Sequence, residues 1–298
     1  MSFFKKIQEI SGHAGAIYAC ACHDGRIYTG SADNYVARWN PETGEQDKFA
    51  IQFEESVYSI AFLSENRLVV GLANGHIHVF DLNERKEIKF FTQHTKAIFA
   101  IAFNETKQQW YAADADGNLS IWDATKLEQL VYLPLDCGKV RDIAINKEGD
   151  QFTLACQDGT LRIFDTAFFN EIHTIHAHKD GATAVLYHPQ HEHQLISGGK
   201  DAMLRLWDVP VEMKLKEIPA HNFAIYGIQA LNNGETIISA SRDKTIKTWS
   251  SDLEFQQRLD LKVGGHKHSV NKIRSLNDHS FVSVSDDKKI IVWGEGEE

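Results

Sequence analysis

An all-β, seven-bladed β-propeller of four-stranded antiparallel blades is the fold class this chain predicts, and three observations predict it. First, an aromatic residue follows an acidic or amide residue by six positions, seven times. The pairs are Asp33/Trp39, Asn74/Phe80, Asp116/Trp122, Asp158/Phe164, Asp201/Trp207, Asp243/Trp249 and Asp287/Trp293. Second, successive aromatics lie 41, 42, 42, 43, 42 and 44 residues apart, so one supersecondary unit repeats along all 298 residues. Third, turn chemistry and two-residue alternation outline four short strands per unit, which suits a propeller better than a sandwich. No composition break or Pro/Ser-rich linker separates the units, and residues 1–298 read as a single domain.

Each unit begins with an apolar segment: Ile17-Cys20-Cys22, Val57-Ile60-Phe62, Ile98-Ile101-Phe103, Val140-Ile143-Ile145, and onward to Val270-Ile273. A step of three followed by two predicts an inner strand with a β-bulge, which re-aims one side chain. A second strand leads into the turn. Asn74-Gly75, Asp116-Gly117 and Asp158-Gly159 mark tight hairpins, with positive φ expected at both central positions. The third strand then alternates, as in Ile77 and Val79, Leu119 and Ile121, Leu161 and Ile163, Leu204 and Leu206; Arg38 and Thr248 interrupt the pattern in units one and six. A more polar fourth strand follows each aromatic, as at 87–92 and 254–262. Only GEGEE follows Trp293, so the last unit lacks a fourth strand of its own. Residues 3–10 have the right spacing to supply it, and such closure removes free sheet edges.

Gly12-His13, Gly30-Ser31-Ala32-Asp33 and Trp39-Asn40 open, turn and close the first unit. Ala220-His221, Ala240-Ser241-Arg242-Asp243 and Trp249-Ser250 do so in the sixth, and Gly265-His266, Val284-Ser285-Asp286-Asp287 and Trp293-Gly294 in the seventh. These units resemble the WD40 repeat, and the resemblance covers essentially the whole chain. It implies a buried His-Ser-Asp-Trp hydrogen-bonded relay within a blade. The relay sets would be His13, Ser31, Asp33 and Trp39; His221, Ser241, Asp243 and Trp249; and His266, Ser285, Asp287 and Trp293. The third unit offers His94, Asp116 and Trp122 with Asp114 where Ser belongs, and the fifth offers His178, Asp201 and Trp207 with Gly199 there. Units two and four have Phe53 and Asp136 in place of His and close on Phe80 and Phe164, so packing alone is expected to hold them.

The resemblance also implies partner docking on the face reached by the Asp turns and the starts of the bulged strands. The positions expected there include Tyr18, Tyr58, Phe99, Arg141, Thr183, Tyr226 and Asn271, joined by Lys139, Lys200 and Arg242. Aromatics from units one to three and six face a basic group from units four to six. That pairing suits a protein or peptide carrying an apolar group and an acidic or phosphorylated one, because aromatic anchors bury area at low entropic cost and guanidinium matches carboxylate and phosphate.

The formal charge of −10, from 41 acidic and 31 basic residues, disfavours a direct nucleic-acid or anionic-membrane binder. No signal peptide is evident and no apolar run approaches 18 residues. The four cysteines lack CxxC spacing, which points to a reducing, cytoplasmic setting. The expectation is a non-catalytic interaction scaffold without cofactor, acting as a monomer or as a subunit of a larger complex. No GxSxG, HExxH, Walker loop or strand-to-helix GxGxxG occurs, so no catalytic residue is assigned. The competing reading is a small-ligand or metal-dependent enzyme using the axial channel. It needs carboxylates or histidines converging from inner strands, whose positions read mainly as Ile, Val, Ala and Cys. No metal site is assigned: His188, His191 and His193 read as a polar turn, His173 and His176 flank the relay His178, and His76 and His78 are expected to face outward.

Overall fold

The computed structural model describes residues 3–296. They form 28 strands, numbered β1–β28 in chain order, in seven four-stranded antiparallel sheets. The first blade is β2 (Ile17–His23), β3 (Arg26–Ser31), β4 (Tyr35–Trp39) and β5 (Gln46–Gln52), paired in sequence order, and the next five blades repeat this meander. The last sheet breaks the order. It runs from β1 (Phe3–Ser11) through β28 (Lys289–Gly296) and β27 (Ser280–Ser285) to β26 (Val270–Asn277), so the N-terminal strand closes the ring. The fourth strands are slightly displaced from expectation. The second blade's spans Lys86–Phe91, and the sixth's ends at Leu259, where Asp260 caps a short 3₁₀ turn over Leu261–Val263.

The inner strands surround the axis, and all seven are bulged near their start. In the first blade Ile17 opposes Ser31 and Ala19 opposes Gly30, which leaves Tyr18 as the extra residue. The same shift leaves Tyr58, Phe99, Arg141, Thr183, Tyr226 and Asn271 extra in the other six. The second and third strands join differently from expectation. Only the residue after the turn Asp or Asn has positive φ: Gly75 (93°), Gly117 (87°) and Gly159 (91°), with Asn34, Ala202, Lys244 and Lys288 at the equivalent places. A bend closed by bonds such as Gly159 N–H to the Cys156 carbonyl, followed by one left-handed residue, needs only that single special position. At Gly159 a Cβ would lie 1.8 Å from the His178 carbonyl oxygen, so the turn excludes a side chain there on two grounds.

The apolar core lies between neighbouring blades rather than at one centre. Trp39 packs with Ile10, Val282 and Val292 across the closure, and Trp122 with Leu63, Val69 and Phe91 across the second and third blades. Phe4 sits among Phe281, Trp293, Ile238 and Leu259, and its ring meets Phe281 edge-on at 5.4 Å. Each burial thus couples one blade to the next. Phe4 is 1% exposed and its neighbour Phe3 44%. Phe4→Ala should therefore cost about 3–5 kcal/mol in a urea unfolding series and Phe3→Ala about 0.5 kcal/mol or less. Equal effects would mean that β1 does not carry the closure.

Candidate functional site

Five blades contain a hydrogen-bonded chain whose direction can be assigned. In the first, Trp39 Nε1–H donates to Thr29 Oγ1 at 2.7 Å, Thr29 Oγ1 lies 2.8 Å from His13 Nε2, and His13 Nδ1 lies 2.9 Å from Asp33 Oδ2. A carboxylate only accepts, so Nδ1 carries the proton and Nε2 receives the hydroxyl proton. The chain recurs as Trp207–Ser197–His178–Asp201, Trp249–Ser239–His221–Asp243 and Trp293–Ser283–His266–Asp287. Burial raises the Asp287 carboxyl, but bonds from His266 and from the Lys267 and Lys289 amides outweigh it and bring it to about 2.

This corrects the expected relay at four residues. Ser31, Ser241 and Ser285 are not its hydroxyls. Each instead accepts the amide of the turn Asp two residues on, at 3.2, 3.0 and 3.1 Å respectively. The relay hydroxyl stands two positions earlier, deeper in the blade, where Trp and His both reach it. In the third blade Asp116 is exposed and Asp114 takes the carboxylate role, 2.7 Å from His94 Nδ1, with Ser120 linking His94 to Trp122. Blades two and four are not held by packing alone. Arg162 bonds Asp158 and the Leu135 carbonyl, while His78 bonds Glu87, beside the stacked Phe152–Phe164 pair and the Phe53–Phe80 contact respectively.

The seven bulges bring their extra residues to one mouth on the axis, a cavity of ≈ 290 Å³. Tyr18 and Tyr58 stack with ring centroids 4.8 Å apart, and Phe99 meets Tyr58 edge-on at 5.1 Å. Arg141 lies 4.4 Å over the Phe99 ring; Thr183, Tyr226, Arg242 and Asn271 complete the wall. Burial pushes the Arg141 guanidinium below its ordinary value, with Tyr226 and Tyr58 opposing. Among the described residues arginine ion pairs are made by Arg38, Arg162, Arg205 and Arg258, not by Arg141 or Arg242.

Two of the expected residues stand outside the cavity. Lys139 reaches the rim, with Nζ 5.6 Å over Phe99, and Lys200 is exposed beside Gly181. Two others are partly committed to the ring itself. Thr183 is buried and its hydroxyl donates to the Ile225 and Gly198 carbonyls; Asn271 Nδ2 donates to the Ile17 carbonyl at 2.9 Å and to Asp286 at 2.7 Å.

The channel is more polar than the sequence led us to expect. Lys272 lines the cavity floor, its ammonium 3.4 Å from Asp142 Oδ1 across the axis, and a second cavity of only ≈ 30 Å³ continues past Lys272 to Arg274. Burial pushes Lys272 below its ordinary value, against the pull of Asp142. Lys272 was missed because its partner is 130 residues away. The signal available was a lysine between Val270 and Ile273, the two apolar residues that mark the start of this inner strand.

The histidine groups separate. His188 Nε2 bonds the Ser251 carbonyl and its ring lies 4.6 Å from that of His191, whereas His193 is exposed and His173 pairs with Glu212. His76 and His78 do not simply face outward: His78 is 8% exposed and packs against Phe53 and Phe90.

The family described as "WD domain, G-beta repeat" matches residues 4–40, 85–123, 169–208, 213–250 and 257–294, more than half of the chain. The chain is 30% identical over 125 residues to the nuclear distribution protein nudF of Aspergillus niger, covering 41% of this chain and 28% of that protein. It is 27% identical over 125 residues to the DDB1- and CUL4-associated factor 13 of Dictyostelium discoideum, covering 41% and 28%. To the pre-mRNA-processing factor 17 of Saccharomyces cerevisiae it is 26% identical over 116 residues, covering 38% and 25%. The matched segments thus span between a quarter and a third of each relative. No helix among the described residues is long and apolar enough to cross a membrane.

Asp114 is fully buried and Asp116 exposed. Asp114→Ala orphans His94 Nδ1–H and should cost at least about 1–3 kcal/mol, against about 0.5 kcal/mol or less for Asp116→Ala, in chemical denaturation. The reverse order would return the relay to the turn residue.

Proposed function

This chain belongs to the WD40 repeat family, and on that premise we propose that it is a non-catalytic platform that docks a protein or peptide partner at the mouth formed by the bulged strands. An apolar group of the partner lies against Tyr18, Tyr58 and Phe99, and an acidic or phosphorylated group lies between Arg141 and Arg242. Lys139 and Lys200 extend the basic side at the rim, while Thr183, Tyr226 and Asn271 shape the wall. The protein works in the cytoplasm as a single unit, alone or within a larger complex, and reaches nucleic acid or membrane, if at all, through its partner.

The observation that carries this reading is the Arg141 guanidinium, half-buried over Phe99 without a carboxylate partner among the described residues. A desolvated cation without a counter-charge gains most from an incoming anion, and guanidinium accepts carboxylate or phosphate in a bidentate fork. The stacked tyrosines beside it supply rigid area of the kind that anchors interfaces. One relative is named for association with DDB1 and CUL4, which supports a role exercised through other proteins. The channel-enzyme reading needs several converging carboxylates or histidines; among the described residues the two axial cavities offer Asp142, paired with Lys272, and Asp286, bonded by Asn271, and no histidine.

Selection of a random peptide library on immobilised protein tests the reading. Enriched peptides should place Asp, Glu or a phosphorylated residue near an apolar one. Arg141→Glu should weaken them at least about 30-fold, the equivalent of a ~2 kcal/mol hot spot. Peptides that bind wild type, Arg141→Glu and Tyr58→Ala alike would contradict it.

A further inference from the structure

The second blade departs from its neighbours at three places together: Phe53 for His, Asn74 for Asp and Phe80 for Trp. The same blade brings a carboxylate and two imidazoles together. One ligand atom from each of Glu54, His76 and His78 lies within 4.8 Å of the other two. Glu54 Oε1 is 2.8 Å from His76 Nδ1 and 3.6 Å from His78 Nε2.

The surrounding bonds decide which of these atoms carry protons. His78 Nδ1 lies 2.9 Å from Glu87 Oε1, which only accepts, so the proton sits on Nδ1 and the Nε2 lone pair points at Glu54. That Nε2 is buried and has no hydrogen-bond partner. The His76 amide donates to Asn74 Oδ1 at 3.0 Å, which turns Asn74 Nδ2 toward the cluster, 3.1 Å from His76 Nδ1 and 3.4 Å from Glu54 Oε1, to which it donates. Glu54 Oε1 also only accepts and lies 2.8 Å from His76 Nδ1, so without a metal that nitrogen carries a proton toward Glu54; a bound cation would displace it, as metal binding at histidine ordinarily does, and three lone pairs would then face one centre. Two carboxylates, Glu54 and Glu87, add negative charge around it.

We propose that Glu54, His76 and His78 form a site for a divalent transition cation, Zn²⁺ first among them, with Glu87 as the carboxylate that orients His78. Two imidazoles and one carboxylate are a borderline-soft N/O donor set suited to zinc, and they leave a fourth tetrahedral position for water. Zinc bonds of about 2.0–2.2 Å place ligand atoms roughly 3.3 Å apart, so both observed separations need only small adjustment. The His78–Glu87 bond is the outer hydrogen bond that a metal-bound histidine ordinarily makes. The site shares no residue with the axial mouth and is independent of the docking reading.

The test is titration of tag-free, metal-stripped protein with ZnCl₂, by calorimetry and by competition against a chromophoric chelator, with thermal melting alongside. One equivalent of zinc should bind and raise the melting temperature. Glu87→Gln should weaken binding about 10- to 100-fold. Glu54→Gln and His76→Ala should weaken it further and remove the thermal shift, while melting like wild type without zinc; both side chains are partly solvent-exposed, so folding should survive. His191→Ala/His193→Ala should bind as wild type does. Absence of stoichiometric zinc would make the cluster a protonated ion-pair network like that of Arg205 with Asp201 and Glu217, and would overturn the proposal. So would zinc binding that survives Glu54→Gln and His76→Ala, or that is lost with the His191/His193 pair.

Discussion

One extra residue near the start of each inner strand is the constraint on which this structure turns. An antiparallel pair without a bulge sends alternate side chains to the two faces of a blade, and both faces are buried against neighbours. The bulge breaks that alternation at one residue and frees its side chain toward the axis. Seven repetitions place Tyr18, Tyr58, Phe99, Arg141, Thr183, Tyr226 and Asn271 in one circle. The same step ties the ring together. Thr183 reaches the Ile225 carbonyl of the next blade, Asn271 reaches Ile17 across the closure, and Ser59 reaches Ile98 in the same manner. Side-chain-to-backbone bonds at or beside the bulges thus join three neighbouring pairs of blades, and the pairing of β1 with β28 closes the ring.

Inside the blades a different constraint operates. The aromatic mark fills the space between blades, and an unpaired indole N–H there costs stability, a cost the structure bears at Trp110 beside Trp122 but not at the mark itself. The relay answers that need with a hydroxyl, an imidazole and a carboxylate in series, and the carboxylate also holds the turn through backbone amides, as Asp33 does with Ala14 and Tyr35. Where the aromatic is Phe no indole N–H requires a partner, and blades two and four lack the chain. The freed positions carry other polar groups: Arg162 in one blade, the Glu54–His76–His78 cluster in the other.

Much of this was legible in the residues. The period of about 42 and the acidic-aromatic spacing announced seven blades, and the three-then-two step announced the bulges. The short tail after Trp293 announced closure by the first strand, observed over Phe3–Ser11. Eight of the ten residues expected at the docking face line one cavity. What was missed follows physical rules that a linear reading does not expose. Thr29 and Ser31 lie two apart on one strand and so share a face, and only depth in the blade separates the relay hydroxyl from the turn hydroxyl. Asp114 and Asp116 differ in the same way. The Lys272–Asp142 pair is formed across the axis, between strands that never pair. His78 occupies a strand position filled by Ser120 in the next blade, and its burial comes from Phe53 standing where other blades have histidine.

In the proposed function the bulged residues, rather than the outer strands or the rim loops, form the docking surface. Hydrogen exchange of the protein, free and saturated with a peptide selected on it, tests this most directly. Protection should concentrate at the inner-strand starts near residues 17–19, 57–59, 98–100, 140–142 and 225–227. Protection confined to the outer fourth strands, with these amides unchanged, would contradict it.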